Sequence, residues 1–319
     1  MGIGDCIALT IATVVWFLCC MIITVLVHET GHLISGLISG YRLSGFAVSG
    51  FIIRRQDGRL RWHRYSQQSL SWGQCFMYAN EINAPPDLLI VGGCVMNIII
   101  GVILSVIAIL TISLEGSGVW RLMLLAVPAS INIVMGIANL TGGSASSDGN
   151  TLKEVKSDEG RRMYNCVMKV TAELLDGKMY SEMPASLFEY SGSSSLAEEI
   201  RMYGYYRKCE ECKDNAGYRE LISKFGFNGK PKGQFFLEEK QIESELASAV
   251  LSKTEESSLG KVPVDAREVL LMLTRCDKNA DELMARFEKD CPMPGLVKSV
   301  ARCWGNIKEI RKERYRKNG

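Results

Sequence analysis

Ile7-Ala-Leu-Thr-Ile-Ala-Thr-Val-Val-Trp-Phe-Leu-Cys-Cys-Met-Ile-Ile-Thr-Val-Leu-Val27 runs without a charge into His28-Glu29-Thr30-Gly31-His32 and then Leu33-Ile-Ser-Gly-Leu-Ile-Ser39. A bilayer core takes ~20 apolar residues of helix, so Ile7–Val27 is long enough to cross one. A cleaved secretory signal would have basic residues before the apolar run and a small-residue cleavage site after it. This stretch has neither, and nothing in it breaks a helix before the second histidine. The apolar helix is therefore expected to continue through the histidine pattern. That reading sets the fold class as an α-helical membrane protein.

Two further runs lie outward from this stretch. Leu88–Leu114 carries no charge, and Trp120–Leu140 opens on Trp120-Arg121, a pair suited to a membrane interface. Pro128, Asn132 and Asn139 interrupt the third run. Lipid cannot satisfy such groups, so this helix is expected to be buried among protein. Three spans follow, at about 7–39, 88–114 and 120–140. Of the 37 Lys and Arg, seven precede residue 150, and six of those lie between the first and second spans. Lys153, Lys156, Arg161 and Arg162 follow the third. An excess of basic residues marks the cytoplasmic side, which puts the amino terminus outside and the carboxyl half inside.

Residues 41–87 are too polar to span. Phe46–Arg54 and Arg59–Tyr65 flank Gln56-Asp57-Gly58, and Asp-Gly between β-prone runs is a hairpin signal. A β-hairpin over about 46–65 is expected at the cytoplasmic membrane surface. Residues 1–152 thus form a membrane-embedded core and 153–319 a soluble, mostly helical domain. Helical spacing is visible at Ser195–Cys212, Leu237–Leu251 and Val264–Leu273. The net charge of +2 gives no reason to expect a nucleic-acid partner. The 11 cysteines show no disulfide framework and suit a reducing compartment. Cys209-Glu-Glu-Cys212 has the spacing of half a zinc knuckle but lacks a second pair, so ordinary thiols are expected there.

The chemistry concentrates in His28-Glu29-Thr30-Gly31-His32. On a helix, positions four apart share a face, so two imidazoles can reach one zinc ion while the intervening Glu takes a proton from bound water. Only three histidines occur in the chain, and two stand in this pattern. Ionisable groups at the end of an apolar span are costly and are functional by default. A catalytic zinc needs a third protein ligand and one open position. Asp5 and Glu115 fall on the opposite side of the membrane. Asp148, in Ser147-Asp148-Gly149 after the third span, falls on the same side as the histidines.

With these blocks in hand, the first 152 residues or so resemble the site-2 protease family of intramembrane zinc metalloproteases. Three blocks correspond in order. They are His28-Glu29-Thr30-Gly31-His32, then Gly92-Gly93-Cys94-Val95-Met96-Asn97, then Asn139-Leu140 followed by Ser147-Asp148-Gly149. Thr141-Gly142-Gly143 stands where the family usually has Pro after Asn-Leu. The resemblance implies one catalytic zinc held by His28, His32 and Asp148, with Glu29 as general base. It also implies a metalloprotease core acting on membrane-protein or membrane-peptide substrates. For Asn97 and Asn139 it implies support of the ligands or binding of the substrate backbone; packing between helices is the other reading. A bacterial plasma membrane is the expected location. The rival reading is a non-catalytic membrane scaffold descended from such a protease, which would be expected to have lost Glu29 or a ligand.

Overall fold

The computed structural model describes residues 3–65, 73–115, 119–142, 147–192, 194–212 and 280–318. In chain order the regular elements are α1 (Ile3–Ile38), β1 (Arg42–Val48), β2 (Phe51–Gln56), β3 (Arg59–Arg64), β4 (Gly73–Tyr78), α2 (Asp87–Glu115), α3 (Val119–Thr141), α4 (Asp148–Glu154), α5 (Asp158–Asp176), α6 (Ser195–Glu211), α7 (Ala280–Asp290) and α8 (Pro294–Asn318). Two short 3₁₀ turns, Tyr180–Glu182 and Ala185–Phe188, lie between α5 and α6. The expected helices at Leu237–Leu251 and Val264–Leu273 lie outside the described residues. The chain divides into two compact units: Met1–Ser49 with Trp72–Asn165, and Gly50–Ser71 with Cys166–Gly319.

The first unit is built on α1, α2 and α3, which pack on one another. Gly4–Ile38, Asp87–Thr111 and Met123–Thr141 are each long and apolar enough to cross a membrane. At 1.5 Å per residue the 36 residues of α1 span about 54 Å, against about 30 Å of bilayer hydrocarbon. One helix can therefore both cross and carry the histidine pattern. Its buried positions Cys20, Thr24, His28, Gly31 and Ser35 recur at three- and four-residue steps and so form one stripe. Glu29 and Gly36 are buried beside that stripe, and most of the other positions are apolar and open.

Glycines set how closely α1 and α2 approach. A Cβ on Gly31 would meet the Gly92 carbonyl oxygen, and one on Gly92 would meet Ser35 Oγ and lie 2.6 Å from the Gly31 carbonyl oxygen. Between α2 and α3 the same part is played by Gly101, against Ile133 and the Ala129 carbonyl, and by Gly136, against the Cys94 carbonyl. Small residues at such crossings are the usual means of packing helices in lipid.

Two expectations need correction here. The helix α3 is not buried among protein: Met123, Leu124, Val134 and Ile137 are exposed, and Ala129, Asn132 and Gly136 form a narrow packed stripe. Asn132 sits on that stripe, where its Nδ2 donates to Thr24 Oγ1 at 3.1 Å and to the Pro128 carbonyl at 2.8 Å. The strand expected over Phe46–Arg54 is broken at Ser49-Gly50, both at positive φ (50° and 87°). That turn hides between β-prone runs, because Ser-Gly is a weaker hairpin signal than Asp-Gly. β1 pairs antiparallel with β4, a strand outside the hairpin expected from the sequence.

In the second unit β2 pairs antiparallel with β3 across Asp57-Gly58, in the register Ile52↔His63 and Arg54↔Arg61. Ile52 is fully buried, as are Val170, Leu175, Ile200, Leu283 and Phe287 of the helices. Arg54 is buried too, and its guanidinium donates to the Pro292 carbonyl. The helix expected over Ser195–Cys212 is α6, capped by Ser194 Oγ, which accepts from the Ala197 N–H at 3.1 Å.

Candidate metal centre

The site lies in the first unit, and two helices, α1 and α4, supply its three candidate ligands. His28 and His32 project from one face of α1, with Nε2 atoms 3.1 Å apart. Asp148 opens α4, and its Oδ2 lies 3.1 Å from His28 Nε2 and 3.5 Å from His32 Nε2. One ligand atom from each lies within 4.8 Å of the others, and this is the only such group of three metal-ligating side chains among the described residues. The group can hold a metal ion. Burial alone would raise the Asp148 pKa, but hydrogen bonds from His28 and His32, with their charges, hold the carboxyl below the usual carboxylate range.

The surroundings are shaped to the rings. A Cβ on Gly93 would lie 2.5 Å from His32 Nε2 and 2.7 Å from His28 Cε1, so α2 makes room for both imidazoles only with glycine there. Gly149 closes against the Leu140 carbonyl with no space for a side chain. Gly142, at φ +82°, ends α3 and accepts a hydrogen bond from Asn150 Nδ2 at 3.3 Å. Gly142 thus stops α3 where the chain turns toward Asp148.

The outer nitrogens of the rings bear on the metal question. His32 Nδ1 is 2.8 Å from the Leu89 carbonyl oxygen, which can only accept, so Nδ1 carries a proton and Nε2 is the nitrogen left to face a metal ion. Asn97 is completely buried, with Nδ2 3.2 Å from His28 Nδ1 and with Oδ1 unpartnered. The two ends of a carboxamide are told apart only by their hydrogen bonds. Turning this amide over gives the orphaned oxygen an Nδ1–H to accept and frees the His28 Nε2 lone pair for a cation. Asn139 Nδ2 reaches to 3.5 Å from His28 Nε2, at the ligand side of the ring. Two imidazoles, a carboxylate and two outer-nitrogen partners match the donor set of a three-ligand zinc site.

Glu29 is buried on the neighbouring face of α1, where the Cys75 backbone N–H of β4 reaches its carboxyl. The Cβ of a side chain at Gly73 would lie 2.8 Å from Glu29 Oε1, so β4 approaches the carboxyl with bare backbone. Burial pushes the Cys75 thiol up to about 12, which keeps it protonated beside that carboxyl.

All six residues singled out in the sequence (His28, Glu29, His32, Asn97, Asn139 and Asp148) lie at or beside this centre. Sequence reasoning missed Cys94, whose Sγ donates to Asp148 Oδ2 at 3.2 Å, as well as Leu89, Gly93 and Cys75. The Gly-Gly doublet before Cys94 was the one available signal, since adjacent glycines inside an apolar helix require a close neighbour. Asp87 also borders an apolar run, yet its carboxylate faces Arg161 at 3.8 Å. In the second unit Cys209 is buried and hydrogen-bonded to Cys303, and Glu210 accepts from the N–H groups of Tyr180 (3.2 Å) and Ser181 (2.7 Å).

No family model, curated protein or solved structure matches this chain.

Proposed function

We propose that the chain is an intramembrane zinc metalloprotease of the site-2 protease kind, hydrolysing peptide bonds in membrane-spanning or membrane-associated substrates. The observation that carries this reading is the convergence of Asp148 on His28 and His32 beside a buried carboxyl, Glu29. Held by His28, His32 and Asp148, zinc would supply Lewis acidity and a bound water with its pKa lowered toward ~7. Glu29, adjacent to the ligands, takes the proton of the attacking water at its carboxylate and delivers it to the leaving amine. The Cys75 N–H orients that carboxylate. Asn97 and the Leu89 carbonyl keep the Nδ1 atoms protonated, so both Nε2 lone pairs point inward. Asn139 is placed to bind either a ligand or the substrate backbone.

The arginine excess after the first span supports placing the site on the cytoplasmic side of a plasma membrane. A scaffold descended from a protease has no need to keep Glu29 buried beside three intact ligands. The test is zinc content and hydrolysis by the full chain purified in detergent, with a denatured reporter protein as substrate. Wild type carries about one zinc per chain. His28→Ala and Asp148→Ala lose it, while Glu29→Gln keeps the metal and loses hydrolysis. Zinc retained in both ligand variants, or hydrolysis surviving in Glu29→Gln, overturns the assignment.

A further inference from the structure

The hairpin β2–β3 uses only one of its faces inside the second unit. In a strand, alternate residues point to opposite sides. Ile52 and Arg54, with His63 opposite Ile52, form the inner face: Ile52 is fully buried, Arg54 reaches Pro292, and His63 bonds the Lys289 backbone. The other face carries Phe51, Ile53 and Arg55 on β2, opposite Arg64, Trp62 and Leu60 on β3. It is open: Trp62 is 72% exposed, Leu60 64% and Phe51 49%. Phe51 and Trp62 meet edge to face at 6.2 Å, and Arg64 lies over the Phe51 ring at 6.0 Å. The open aromatics are thus ordered against each other and against a cation.

Charge identifies what covers this face. Arg55 and Arg64 stand on this face, while Arg59 and Arg61 alternate to the other; all four are exposed, with no ion pair among the described residues. Asp57 is the one acidic residue between Arg42 and Asn80, and it lies at the hairpin tip. A bulky aromatic and aliphatic centre flanked by Arg55 and Arg64, on a hairpin that carries two more exposed arginines, suits the boundary between acyl chains and anionic headgroups, where Trp, Phe and Leu enter the apolar layer and Arg meets phosphate. A protein partner would have to bring its own matched acidic rim. The bilayer is already implied by three helices able to cross it.

We infer that the outer face of β2–β3 is a membrane-docking surface that seats Phe51, Leu60 and Trp62 into an anionic lipid leaflet. It stands apart from the metal-site reading and uses none of its residues.

The test follows Trp62 in full-length protein reconstituted into nanodiscs, as the emission of wild type minus that of Trp62→Phe. Discs contain phosphatidylcholine alone or mixed with phosphatidylglycerol, with or without bromine near the top of the acyl chains. In the phosphatidylglycerol discs, bromolipid is expected to quench the Trp62 emission and aqueous iodide to leave it untouched. With Arg55, Arg59, Arg61 and Arg64 all changed to Gln, that quenching is lost and iodide reaches the ring. Quenching of wild type by iodide in the phosphatidylglycerol discs would mean the face meets water. Protection from both quenchers would mean that protein covers it. Unchanged bromolipid quenching in the four-Gln variant would remove the anionic headgroup from the account. Each of these three results overturns the proposal.

Discussion

The two halves of α1 share one helix and follow different rules. In the first half Ile7, Ile11, Val14, Val15, Phe17 and Leu18 are each 48–59% exposed and touch little of the protein. From Cys20 onward, a stripe of small and polar residues is buried against neighbouring elements, while large apolar side chains still point away. In water this distribution would be inverted, since burial of large apolar groups drives folding there. In lipid the large groups are already solvated. Helix association then rests on close approach, hydrogen bonds and shape. The contrast teaches that the informative residues of a spanning helix are its small and polar ones.

Substitutions can break or sharpen that contrast. Asp148→Ala and His28→Ala are expected to abolish stoichiometric metal binding, read by competition with a chromophoric chelator. Gly93→Ala comes next: its methyl would stand within contact distance of both rings, and metal affinity should fall well beyond tenfold while the three helices still insert. Asn97→Leu removes the outer-nitrogen partner of His28 and should weaken metal binding about 10–100-fold. Asn97→Asp, with an acceptor at both ends, should preserve it; equal loss in both variants would mean that the amide only fills space. A double-mutant cycle of Thr24→Val with Asn132→Leu should give a coupling of about 0.6 kcal/mol in reversible unfolding. Ile11→Ala, in the lipid-facing half, should change stability by less than about 0.5 kcal/mol. A larger loss there would show that the outer half is packed against protein.

The spans were legible in the sequence because an uncharged apolar run of more than twenty residues matches the thickness of a bilayer and exceeds what a buried core helix needs. The two histidines of the candidate centre were legible because four-residue spacing on a helix puts them on one face. Asp148 was reached through sidedness, which set aside Asp5 and Glu115; the same criterion leaves Asp87 open, and its carboxylate instead faces Arg161. What escaped was whatever depends on a neighbour: the Leu89 carbonyl on His32, the Cys94 thiol on Asp148, and the Cys75 N–H on Glu29. Backbone groups carry no sequence signal, and a cysteine in an apolar run reads as a small hydrophobe. β4 escaped because Gly-Gln-Cys-Phe-Met-Tyr alternates too weakly to announce a strand. The burial of α3 was overstated for a physical reason: one stripe satisfies its polar residues, and lipid can face the rest.

The donors of the metal centre are split along the chain, two on α1 and the third just beyond α3. A ribosome that has released only the first two spans has made a pair of imidazoles with no carboxylate to close the set. Seating Asp148 then needs α3 docked on α2, with Gly136 against the Cys94 carbonyl, and α4 folded back on the end of α3 through Gly149. Closing the donor set therefore depends on the packing of α1, α2, α3 and α4 on one another. A centre built this way has its full set of donors only once the chain has been made through α4.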